Sequence, residues 1–76
     1  MSGKSLHLYA GQKLKEREVD VWRRFSMSET TKEAASNMGL SPKTVEWYRL
    51  CLMNKLKCHD YAGLTRLAIK HGLISL

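Results

Sequence analysis

The chain has 76 residues, 43% of them hydrophobic and 26% charged, which describes one small folded domain with a thin core and excludes a disordered segment. Thirteen Lys and Arg against seven Asp and Glu give a formal net charge of +6, suited to nucleic acid, an anionic membrane or an acidic protein. No apolar stretch approaches the roughly 18 residues of a membrane span, so no membrane partner is expected. The N-terminus lacks the apolar core of a secretory signal, and the expected compartment is the cytoplasm. Cys51 and Cys58 form no C-x-x-C pair, which argues for reduced thiols and against a disulfide framework.

Residues 1–13, MSGKSLHLYAGQK, contain no acid. SLHLY alternates briefly, as a short extended piece would, but the expectation is an N-terminal arm without fixed structure, followed by a domain over 14–76. GKS lacks the first glycine that a phosphate-binding loop requires. Over 14–25, Leu14, Val21, Trp22 and Phe25 fall on one side of a helix. Glu16, Glu18 and Asp20 occupy its first turns while Arg23 and Arg24 lie near its end, as the helix dipole favours.

TTKEAASNMG predicts a second helix marked at both ends. Thr30 and Glu33 have the spacing of a capping box, Ala34, Ala35 and Met38 form the buried stripe, and Gly39 suits the left-handed residue that ends a helix. A third helix starts at once: Ser41 is the N-cap, Pro42 takes the first helical position, and Val45, Tyr48, Leu52 and Leu56 face inward. DYAGLTRLAIKHG predicts a fourth, capped by Asp60 and stopped by Gly72. The predicted fold class is all-α.

A short helix, a turn containing Gly39 and a longer helix make a helix-turn-helix, which lays its second helix into the DNA major groove. A plain helical bundle with a tight connection would share the pattern. The residues add more. REVDV at 17–21, TKEAA at 31–35, GLSPKTVEWY at 39–48 and KL at 55–56 resemble the DNA-binding domain of the LuxR/FixJ/GerE family, without a gap from residue 14 to about residue 74. Sigma-factor region 4 shares the third-helix pattern but ends less like LAIKHGLI. The resemblance implies a four-helix LuxR-type helix-turn-helix domain that regulates transcription and binds double-stranded DNA as a dimer, with its third helix in the groove and its fourth at the dimer contact. The chain departs from the family pattern at Lys15, where a Thr cap is frequent, and at Ala34, Tyr48 and Tyr61, where a larger aliphatic, His and Arg are frequent.

At about 100° per residue, Lys43, Trp47, Leu50 and Asn54 gather opposite the buried face of the third helix, with Glu46 at the edge. The resemblance puts Glu46, Trp47 and Leu50 where family members meet base edges; Asn54 lies a turn further on. Glu can accept from cytosine N4 and apolar groups can touch a thymine methyl. Thr31, Lys32, Lys43 and Thr44 stand at helix N-termini, where backbone N–H groups favour phosphate. Lys55 projects toward the core edge, with Glu18 as its expected partner in a structural ion pair. Leu64, Leu67 and Ala68 face the core from the fourth helix, whereas Ala62, Thr65 and Ile69 make a second, partly apolar strip suited to a weak symmetric homodimer.

The function expected is that of a single-domain, sequence-specific transcriptional regulator acting as a dimer, although a piece of a longer regulator would have the same sequence. The alternative is a protein patch: exposed Trp47 and Leu50 would let the chain pair with a larger LuxR-type regulator and block it. His7, His59 and His71 share no ligand spacing with Cys51 or Cys58, both assigned to packing, so no metal and no cofactor are expected. No Ser-His-acid set or carboxylate pair suggests an enzyme.

Overall fold

The computed structural model of the chain describes residues 6–9, as backbone only, and residues 11–75. In chain order the elements are β1 (Leu6–Tyr9), β2 (Gln12–Lys15), α1 (Glu16–Ser26), α2 (Thr31–Met38), α3 (Pro42–Leu56) and α4 (Tyr61–Lys70). The fold is all-α, with a small hairpin in front of the helices. That hairpin corrects, at residues 6–9 and 11–13, the expectation of an arm without fixed structure; residues 1–5 lie outside the described residues. β1 and β2 pair antiparallel, Leu6 opposite Lys15 and Tyr9 opposite Gln12, so each strand satisfies backbone groups of the other. An alternation of four residues is too short to distinguish a strand from a loop by sequence. The GKS stretch and the His7 side chain lie outside the described residues.

The hairpin also changes the place of Leu14. Its helical spacing from Val21 assigned it to the first helix, but it sits on β2, and α1 starts at Glu16. It is nevertheless fully buried. Lys15 caps α1 with an extended backbone (φ −73°, ψ 155°) but offers no side-chain acceptor, so only the reverse half of a capping box forms. In that half, the Lys15 N–H donates to the Glu18 carboxylate at 2.8 Å.

The other caps follow the sequence. Thr30 Oγ accepts from the Glu33 N–H at 3.1 Å while the Glu33 carboxylate accepts from the Thr30 N–H at 2.8 Å. Gly39 closes α2 at φ 70°, a left-handed conformation that a Cβ would strain. Ser41 Oγ accepts from the Thr44 N–H at 3.2 Å with Pro42 beside it, and Asp60 accepts from the Gly63 N–H at 2.7 Å. Gly63 has a packing reason of its own. A Cβ there would stand 3.0 Å from Asp60 Oδ1 and 3.3 Å from Cys58 Cβ, so glycine lets α4 begin close against the preceding turn.

The core is built on Trp22, Leu14, Leu52, Leu64, Val21 and Val45, all fully buried. α1 packs on both α3 and α4, and α2 packs on α3. Ala34 and Ala35, also buried, keep α2 close. The Trp22 indole N–H donates to the Leu64 carbonyl at 2.9 Å, satisfying the one polar atom of the largest core side chain and joining α1 to α4. The expected ion pair is present: Lys55 Nζ lies 2.9 Å from Glu18 Oε1, and it also donates to the Lys13 carbonyl at 3.3 Å. Glu18 thus ties β2, α1 and α3 together. No helix is long and apolar enough to cross a membrane among the described residues.

Candidate nucleic-acid interface

α3 divides cleanly into two faces. Val45 and Leu52 are fully buried on one, whereas Trp47 and Leu50 on the other are 54% and 57% exposed, with Lys43 and Asn54 exposed beside them. The Trp47 ring meets the half-buried Tyr48 ring edge-on, 5.1 Å between centroids, so an outward indole is steadied by a residue anchored toward the core. The outer face of α3 therefore carries two large exposed apolar side chains on a basic domain.

The charges are divided as well. The acids are largely committed inside the protein: Glu18 to Lys55, Asp20 to Arg23 and Arg24, Glu29 to Arg24, Glu33 and Asp60 to caps. Lys32 and Lys43 stand exposed in the first turns of α2 and α3 and have no ion-pair partner among the described residues. Thr44, half-buried, shares its hydroxyl with Ser41 Oγ at 2.9 Å.

Thr31 and Glu46, expected at a phosphate and at a base edge, are joined to each other. The Thr31 hydroxyl donates to Glu46 Oε2, and the Arg49 guanidinium donates to Oε1 through Nε at 2.9 Å and through a terminal nitrogen. Arg49, then Thr31, hold the Glu46 carboxyl below its ordinary pKa, against the opposing effect of burial. Arg49 is itself held. It lies over the Tyr61 ring, 5.5 Å from the centroid, and donates to Met53 Sδ at 3.1 Å; Tyr61 stacks on Phe25 at 5.5 Å. The start of α4 is therefore anchored by an aromatic stack at Tyr61, one of the four positions where the sequence departs from the pattern it resembles.

Arg49 was missed in the sequence. The signal was available, since an acid and a base three apart on a helix are neighbours. On α4, Leu64 and Ala68 are fully buried and Leu67 packs against the core. The opposite strip is open: Ala62 is exposed, and Thr65 and Ile69 are half-buried. Cys51 and Cys58 are free and half-buried; burial pushes the Cys58 thiol up, with the Asp60 charge adding to it. The described residues contain no group of His, Cys, Asp and Glu arranged to hold a metal.

Residues 12–68 match GerE, the luxR family of bacterial regulatory proteins. The chain belongs to this family. Among its relatives is the response regulator UvrY of Escherichia coli (strain K12), 40% identical over 60 residues that cover 79% of this chain and 28% of UvrY. A putative transcriptional regulator of Pseudomonas aeruginosa (strain PAO1) is 38% identical over 63 residues, 83% of this chain and 30% of that protein. The response regulatory protein YgeK of Escherichia coli (strain K12) is 35% identical over 63 residues, 83% of this chain and 43% of YgeK. The chain thus spans less than half the length of each. No solved structure gives a significant match. The chain carries the helix-turn-helix of a LuxR-type transcriptional regulator.

Proposed function

We propose that the chain binds double-stranded DNA with sequence preference, as a symmetric pair of copies, and regulates transcription in the cytoplasm. The observation that carries this reading is the outer face of α3, where Trp47, Leu50 and Asn54 stand exposed alongside Lys43, which like Lys32 has no ion-pair partner among the described residues. Trp47 and Leu50 would contact apolar base edges such as thymine methyl groups, with Asn54 a turn further along the groove. Lys32, Lys43, Thr44 and the N–H groups at Thr31 would meet phosphate. Two copies would join through the open strip of Ala62, Thr65 and Ile69 on α4, matching a two-fold operator. So small a contact favours a dimer that forms on DNA from free monomers.

The reading is tested by selecting duplexes from random sequence and titrating affinity against salt. Each neutralised phosphate should contribute a slope of about −0.9 in log affinity against log salt, and Lys43→Ala should reduce the slope by about one for every sequence alike. Ile69→Glu should keep the fold and one-site binding while abolishing occupation of the second half-site. No duplex retained at low salt would sink the reading. Unchanged two-site binding by Ile69→Glu would move the dimer contact elsewhere.

A second reading rests on the same exposed indole. Trp47 and Leu50 could form a protein patch through which the chain pairs with a larger LuxR-type regulator and blocks it. Weak duplex binding together with a co-purifying regulator that is lost in the Trp47→Ala, Leu50→Ala double variant would favour this antagonist.

A further inference from the structure

We propose that Arg49 determines sequence specificity through Glu46: its guanidinium holds the Glu46 carboxylate on Thr31 and away from the base edges, so recognition excludes the cytosine contact that a free Glu46 would make. This inference rests on the DNA-binding reading above.

The geometry supports withholding rather than display. Both Glu46 oxygens are occupied, Oε1 by two guanidinium N–H groups and Oε2 by the Thr31 hydroxyl. An ionised carboxylate can accept more hydrogen bonds than these three, but its charge-assisted partners already lie within the protein. The guanidinium is not a loose surface group, because its side chain is only 18% exposed. Tyr61 lies beneath it, Met53 sulfur accepts from it, and Phe25 backs Tyr61. For Glu46 to turn away from Thr31 and reach a cytosine N4, it would leave its two guanidinium bonds for one neutral donor. It would also leave a mostly buried cation without its counter-charge. That exchange is unfavourable, so the duplex meets Trp47 and Leu50 but not the carboxylate.

The position has a second consequence. Glu46 is tied to the first residue of α2, and Arg49 to the first residue of α4. The pair therefore orients α3 against both neighbouring helices while it silences the acid. Arg49 is a positioning residue, touching no base itself.

The test compares duplex selection at one salt concentration by wild type, Arg49→Met and the Arg49→Met, Glu46→Gln double variant. Met keeps an unbranched apolar stem but removes the guanidinium, and with it the cation over Tyr61 and the bond to Met53. Arg49→Met should acquire a cytosine preference of about tenfold at one position of each half-site, and the double variant should lose it. A purely structural role for Arg49 would lower affinity for all sequences without moving preference. Selection of the wild-type sequence by Arg49→Met, or a new preference that survives in the double variant, would overturn the proposal. If Arg49→Met fails to fold by circular dichroism, the Glu46 carboxyl resonance of wild type decides. It should keep its Arg49-bonded shift when the selected duplex is added, and its transfer to a base would overturn the proposal. Absence of duplex binding by wild type would remove the DNA-binding reading and this inference together; binding with an unmoved preference removes the inference alone.

Discussion

α3 carries one ion pair in its first half and another in its last turn, and the two are built differently. Lys55 meets Glu18 across 37 residues of sequence, and the Glu18 side chain is only 3% exposed. Arg49 meets Glu46 three residues away on the same helix, and the Glu46 side chain is 36% exposed. The first carboxylate is almost fully buried, so losing its partner destabilises the fold. The second carboxylate could turn outward, so its partner decides what the surface presents. The first pair builds the domain, and on the specificity proposal the second edits the face offered to DNA.

Breaking the first pair should have the larger effect. Lys55→Met leaves a buried carboxylate without its cation, at a cost of about 2–4 kcal/mol, reduced from the fully buried range because Lys55 is partly exposed. Urea unfolding measures it, and adding Glu18→Gln to Lys55→Met should recover part of the loss. A loss of only a few tenths would mean that water reaches Glu18 and that the two pairs are alike.

Arg49→Met should cost less than about 1 kcal/mol, because a rim carboxylate regains solvent when its partner goes. Its effect also carries a pH signature. Arg49, then Thr31, lower the folded-state pKa of Glu46. A depressed carboxylate contributes stability that is present above its unfolded value and lost as pH falls through the folded one. The gap between wild type and Arg49→Met should therefore be full at neutral pH and close below the ordinary glutamate value of 4.5. A gap that is constant down to acid pH would show that Arg49 acts by packing alone.

The same contrast separates what was legible in the sequence from what was not. The Thr30–Glu33 box, Ser41–Pro42, Gly39 and Asp60 are local chemistry, and each cap stands where its residue type predicts. The Lys55–Glu18 pair is remote but legible, because helical spacing put both side chains toward the core and a buried charge needs a partner. Leu14 was misplaced on a helix because burial was legible and backbone conformation was not. The end of α3 has no glycine to announce it: Lys57 takes the left-handed conformation at φ 57°. Lys43, Trp47, Leu50 and Asn54 were separable from the core face by periodicity alone. Glu46 shares that edge of the helix, and periodicity does not say whether a surface acid faces a ligand or a neighbouring helix. Only its hydrogen bonds with Thr31 and Arg49 do.

The central claim is that the outer face of α3 reads DNA through its apolar residues. It is tested most directly by measuring affinity of wild type and the Trp47→Ala, Leu50→Ala double variant for the selected duplex and for a random duplex, at one salt concentration. Lys32 and Lys43 remain in both proteins, so random-duplex affinity should change little, whereas preference for the selected duplex should fall by about 1–3 kcal/mol for each truncated side chain that had met a base. Preference retained in full by the double variant would contradict the account.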